Sequence, residues 1–155
     1  MGSRRRGQGV VTIEFLFLFP VIVGILYAAA YYSILFSWQY QMQSIVDASA
    51  ANGMYLDRSN PSLVDADAVR ARAQQTLDVL KLELPARIVD SFDSDDPQCG
   101  VRTVSGSIEL EIVRCELVLP KSAIEQAMPT LSFGFLGRFP PAPDDGIRAV
   151  AQMAF

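Results

Sequence analysis

The chain contains no histidine and only two cysteines among its 155 residues. The first absence removes the commonest general base and the commonest zinc ligand together. No CxxC pair, Gly-rich phosphate loop or nucleophile motif is present either, which leaves an enzyme only unassisted carboxylate, serine or lysine chemistry. We therefore expect no enzymatic activity and no cofactor. Basic clusters are missing beyond the extreme N-terminus: Arg4, Arg5 and Arg6 stand together, whereas the arginines from Arg58 onward are scattered. The net charge is −4, and more acidic still without that N-terminal trio. Such a chain lacks the basic face that phosphate neutralisation requires, so no nucleic-acid partner is expected.

Charge is also absent from Phe15 to Trp38, a run of 24 residues broken only by two serines. As a helix it would measure about 36 Å, enough to cross a hydrocarbon core of about 30 Å with modest tilt. No lysine or arginine follows Arg6 until Arg58. The positive-inside rule then keeps the N-terminus in the cytoplasm and sends the remainder outward. About a hundred residues are left for a soluble domain, a size whose small core a disulfide would help to stabilise.

Three readings compete for the apolar run: an uncleaved signal anchor, a secretory signal peptide and a prepilin-type signal. Ala28, Ala29 and Ala30 offer a secretory cleavage site, but the chain turns apolar again at once with Tyr31, Tyr32, Ile34, Leu35, Phe36 and Trp38. The arginines are followed by Gly7, Gln8 and Gly9, which does not suit a twin-arginine signal. Glu14 is the informative residue. Taken alone, an acid at the edge of an apolar run reads as an interfacial carboxylate, since deeper burial costs about 2.5 to 3.5 kcal/mol.

Glu14 does not stand alone. The stretch Gly9-Val10-Val11-Thr12-Ile13-Glu14-Phe15 resembles a prepilin peptidase signal, with a glycine at the cut and a glutamate fifth in the mature chain. The resemblance is to type IV pilin-like proteins. It implies cleavage after Gly9, a leader of nine residues and a new N-terminus at Val10. It also implies that Glu14 sets register between neighbouring subunits by pairing with a mature N-terminus, with Phe15 opening the assembly helix. The chemistry is sound, because a fresh α-amino group of pKa near 8 offsets the desolvation of a carboxylate that would be costly to bury by itself.

Within that group the chain is most similar to the TadE/TadF-type pseudopilins of tight-adherence (Flp) pilus systems. The carrying residues are Arg6-Gly7-Gln8-Gly9, Val11 to Phe15, then Phe19-Pro20 and the alanine-rich close from Asp47 to Met54. The likeness covers about the first third of the chain. The domain that follows favours a minor subunit over the major fibre protein, which is little more than the helix. The partners it implies are a prepilin peptidase, the major Flp pilin and other pseudopilins, the inner-membrane assembly platform and the membrane itself. The implied location is the bacterial inner membrane, crossed once, with the C-terminal domain in the periplasm and incorporation into the pilus possible. An uncleaved bitopic protein whose outer domain binds a ligand or a partner is the alternative.

The expected fold class is α+β: a long N-terminal transmembrane helix, then a small periplasmic domain with an antiparallel sheet. We divide the chain into a leader (1–9), an apolar helix (10–53, membrane span about 15–38) and the outer domain (54–155). Pro20 removes one backbone hydrogen bond and is expected to kink the helix. Gly53 is a candidate C-cap. Tyr31, Tyr32, Trp38 and Tyr40 suit either an outer aromatic belt or packing against partner helices.

Val69, Ala73, Leu77, Leu80 and Leu84 predict a second helix from about Ala66 to Leu82, capped by Asp65 or Asp67 and stopped by Pro85. Strands are expected over Ala86–Phe92, Gly100–Val104 and Ser107–Leu119, and a last one over Gly146–Phe155. In the third, the apolar parity changes after Val113, which predicts a bulge or a change of packing partner. A short helix is expected over Lys121–Met128. Cys99 and Cys115 flank a turn and either form a bridge worth about 3 kcal/mol or remain two core thiols. The acidic loop of Asp90, Asp93, Asp95 and Asp96 lacks EF-hand spacing and reads as a solvated turn rather than a calcium site. Phe133, Phe135, Leu136 and Phe139 form either a core satellite or a binding patch.

Overall fold

The computed structural model describes residues 8–55, 65–92, 98–104, 110–132, 134 and 137–154, with side chains described from residue 13. Helix α1 (Gln8–Gly53) is continuous over 46 residues, about 69 Å at 1.5 Å per residue. It passes through Pro20. The helix ends where the alanine-rich close suggests, but Gly53 is not a left-handed cap: the described positive-φ glycines are Gly134, Gly137 and Gly146. A Cβ on Gly53 would stand 3.1 Å from Ala73 Cβ and 3.2 Å from the Val69 carbonyl oxygen. The missing side chain is what lets the next helix approach.

That helix, α2 (Ala66–Lys81), buries Val69, Ala73 and Leu77, three residues of the expected stripe. Asp65 occupies the N-cap position with extended backbone, but its side chain makes no capping hydrogen bond. The segment expected as a strand from Ala86 to Phe92 is instead a single helical turn, α3 (Ala86–Val89). The Pro85 carbonyl accepts from the N–H groups of Ile88 and Val89. Leu84, Ile88 and Phe92 are all buried, and their four-residue spacing suits turns of helix rather than the two-residue period of a strand.

The remaining elements are β1 (Cys99–Val104), β2 (Leu110–Leu119), α4 (Lys121–Ala127), β3 (Leu131–Ser132), β4 (Arg138–Phe139) and β5 (Ile147–Ala154). Strands β1, β2 and β5 form an antiparallel sheet in the order β1-β2-β5, while β3 and β4 pair as a separate small hairpin. The layout is thus α+β, a long apolar helix followed by a small domain with an antiparallel sheet. The stretch 105–109, which holds the expected turn and the start of the third strand, lies outside the described residues.

No bulge interrupts β2. Its register runs unbroken from Cys99 opposite Cys115 to Val104 opposite Leu110, and from Ile112 opposite Ala154 to Leu119 opposite Ile147. The parity change reflects which face is covered. Val113, Cys115, Leu117 and Leu119 are buried toward the helices, with Ile147, Ala149 and Ala151 of β5 beside them. Leu110 and Ile112 fall on the opposite face, where Glu116 pairs with both Arg114 and Arg148.

Helix α1 packs on β5 and β2, and α2 packs on β1 and β2, so both cover one face of the sheet. One core joins the helices to the sheet, running from Tyr31, Leu35, Trp38, Met42 and Val46 on α1 through Leu77 to the inner faces of β2 and β5. The aromatic grouping is therefore divided: Tyr31 and Trp38 are buried in this core, while Tyr40 is exposed. Gln43 Nε2 donates to the Val150 carbonyl at 3.1 Å, an edge acceptor of β5.

Candidate functional site

Gly9 and Val10 lie in the first turns of α1, where side chains are outside the described residues. Val10 and Glu14 are four residues apart and so share one face of the helix, one turn from each other. Glu14 is exposed. Beside it, the rings of Phe15 and Phe19 meet at a centroid distance of 5.8 Å with a tilt of 35°. From Ile13 to Leu26 every large aliphatic or phenylalanine side chain is between 45 and 72% exposed. A helix that is apolar all round and covered by nothing in its own chain needs lipid or other apolar helices around it. This helix is long and apolar enough to cross a membrane.

The all-round exposure ends at Tyr27, beyond which one side of the helix stays bare, with Ile34 and Phe36 still exposed. The Tyr27 hydroxyl donates to the Pro129 carbonyl at 2.6 Å, and the Tyr32 hydroxyl donates to the Pro141 carbonyl at 3.2 Å. Between them Tyr31 is buried, edge-on to Tyr32 at 5.5 Å, and its hydroxyl has no hydrogen-bond partner among the described residues. The apolar run read from the sequence as Phe15–Trp38 is thus divided into a portion naked on every side and a portion that the domain covers on one side only, burying Tyr31 and Leu35 and leaving Ile34 and Phe36 exposed. Nothing in the helical pattern signalled the clasp. The clasp joins tyrosine hydroxyls to proline carbonyls about a hundred residues further along the chain, a pairing with no local sequence signal.

Cys99 and Cys115 are joined in a disulfide. They face each other directly in the β1–β2 register, with Cα atoms 4.1 Å apart. Both are buried, and the Cys99 N–H donates to Gln74 Oε1 at 2.9 Å, which ties the staple to α2. The bridge belongs to the domain core and does not meet the Gly9-to-Phe15 segment.

Asp90 is exposed at the end of α3, and Asp93, Asp95 and Asp96 lie outside the described residues. Among the described residues no group of three or more metal-capable side chains converges. The groove along α2 lined by Arg70, Gln74, Asp78 and Cys99 is open and offers no nucleophile next to a base. Phe133, Phe135 and Leu136 lie outside the described residues, while Phe139 is partly exposed on β4. Comparison with protein-family models, with characterised proteins and with solved structures finds no match to this chain.

Proposed function

We propose that the chain is an accessory, TadE/TadF-like minor subunit of a tight-adherence (Flp) pilus, anchored in a bacterial inner membrane with its domain in the periplasm. The observation that carries the reading is the N-terminal portion of α1. Its described side chains are apolar on every side up to Leu26, stand clear of the domain and include one charged residue, Glu14. Cleavage after Gly9 by a prepilin peptidase supplies the missing cation. The new Val10 amine, with a pKa near 8, is positive at neutral pH and matches the Glu14 carboxylate of a neighbouring subunit.

The role is assembly and not catalysis. The major Flp pilin and other pseudopilins pack against residues 10–26, while the inner-membrane platform handles the anchored subunit. The continuous helix through Gly9 also suits an uncleaved single-pass protein with an interacting outer domain. Mass spectrometry of the membrane-extracted chain separates the two: loss of the first nine residues supports the pilin reading, and an intact N-terminus supports the anchor. Glu14→Ala should still be cut but should fail to support piliation. Normal pili in that variant would overturn the assigned role.

A further inference from the structure

The geometry points to a second membrane contact: the β3–β4 hairpin is a foot whose Leu131 and Phe139 insert into the lipid interface beside α1. The inference rests on the reading of α1 as a membrane span. Leu131 and Phe139 are directly opposed in the hairpin register, so their side chains share one face. They are 50% and 37% exposed respectively. The other face carries Ser132 opposite Arg138, and Arg138 is ion-paired with Glu125 of α4. That pairing turns the polar face toward the domain and leaves the apolar face outward. Arg138 is the only charged residue between Pro129 and Pro141.

The position of the hairpin fits the same occupant. The Tyr27 and Tyr32 bonds to Pro129 and Pro141 fix the two ends of this segment beside α1, immediately after the uncovered apolar stretch. From Phe15 to Leu26 is 12 residues, about 18 Å of helix, against a hydrocarbon core of about 30 Å. Even from Val10 the reach is about 25 Å. A stretch bare on every side that is this short brings whatever is clasped at Tyr27 into the interfacial zone, where flanking groups compensate a short hydrophobic length, and the exposed Ile34 and Phe36 continue the apolar surface along one side only. The foot supplies apolar surface continuous with that of the helix, and tyrosines at the junction suit the headgroup level.

The test uses the full chain reconstituted in phosphatidylcholine vesicles containing lipids brominated at shallow acyl positions. The chain has one tryptophan, Trp38, which is buried and provides a constant background. Leu131→Trp and, as an independent variant, Phe139→Trp should each lose about half of their added emission to the brominated lipid. Leu110→Trp, at the far end of β2, should lose none. Phe17→Trp, read in parallel vesicles whose lipids are brominated near the acyl ends, reports on α1 itself. If Phe17→Trp is quenched while neither hairpin variant is, the foot is wrong and the span stands. If Phe17→Trp is not quenched, the membrane reading of α1 fails, and the foot fails with it.

Discussion

A Cβ built on Gly146 would lie 2.2 Å from the carbonyl oxygen of Leu119. Gly146 has φ +70° and directly precedes Ile147, the β5 partner of Leu119. The chain leaves the sheet at Leu119, builds α4 and the hairpin, and re-enters through this glycine. The Lys121–Asp144 ion pair at 2.6 Å draws the two ends of that excursion together.

Gly146→Ala should therefore destabilise the domain by roughly 2–4 kcal/mol, combining a left-handed backbone with a backbone clash. Gly134 also has positive φ, but a Cβ there meets nothing within 4 Å, so Gly134→Ala should cost only about 1 kcal/mol. Urea midpoints of the full chain in detergent check the contrast. Equal losses would show that the Gly146 turn relaxes without resistance.

Replacing both Cys99 and Cys115 by alanine opens a cross-link between residues 16 apart in sequence. Its removal should lower stability by about 3 kcal/mol, chiefly by freeing the unfolded chain. The same loss should follow addition of a reductant to the parent chain. An unchanged urea midpoint in both cases would refute the stapling role.

The Tyr31 hydroxyl is buried without a partner among the described residues. Tyr31→Phe keeps the ring in its T-shaped contact with Tyr32 and removes the unsatisfied group. Stability should rise by about 1 kcal/mol. A drop in the thermal midpoint would mean that the hydroxyl is held by a bond to water or lipid.

Much of the architecture was legible because its signals are local. Val69, Ala73 and Leu77 repeat at helical spacing, and Ile147, Ala149 and Ala151 alternate as one strand face. The facing of Cys99 and Cys115 followed from their places on either side of a turn. The errors arose where two periodicities coexist. Leu84, Ile88 and Phe92 carry a helical spacing inside a β-branched segment, and Pro85 decided for a turn of helix by opening it with its own carbonyl. In β2 the two apolar sets occupy opposite faces of an unbroken strand, so parity alone suggested an extra residue where there is none.

The candidate site divides in the same way. Glu14 and its apolar surroundings are read directly from the order of residues. The clasp at Tyr27 and Tyr32 joins positions separated by 102 and 109 residues. Only the folded chain brings those carbonyls within reach of the hydroxyls, and only then does the usable length of the bare helix become apparent.

Gln43 of α1 holds one outward carbonyl of β5, that of Val150, so a strand added at this border of the sheet must first displace a side-chain bond.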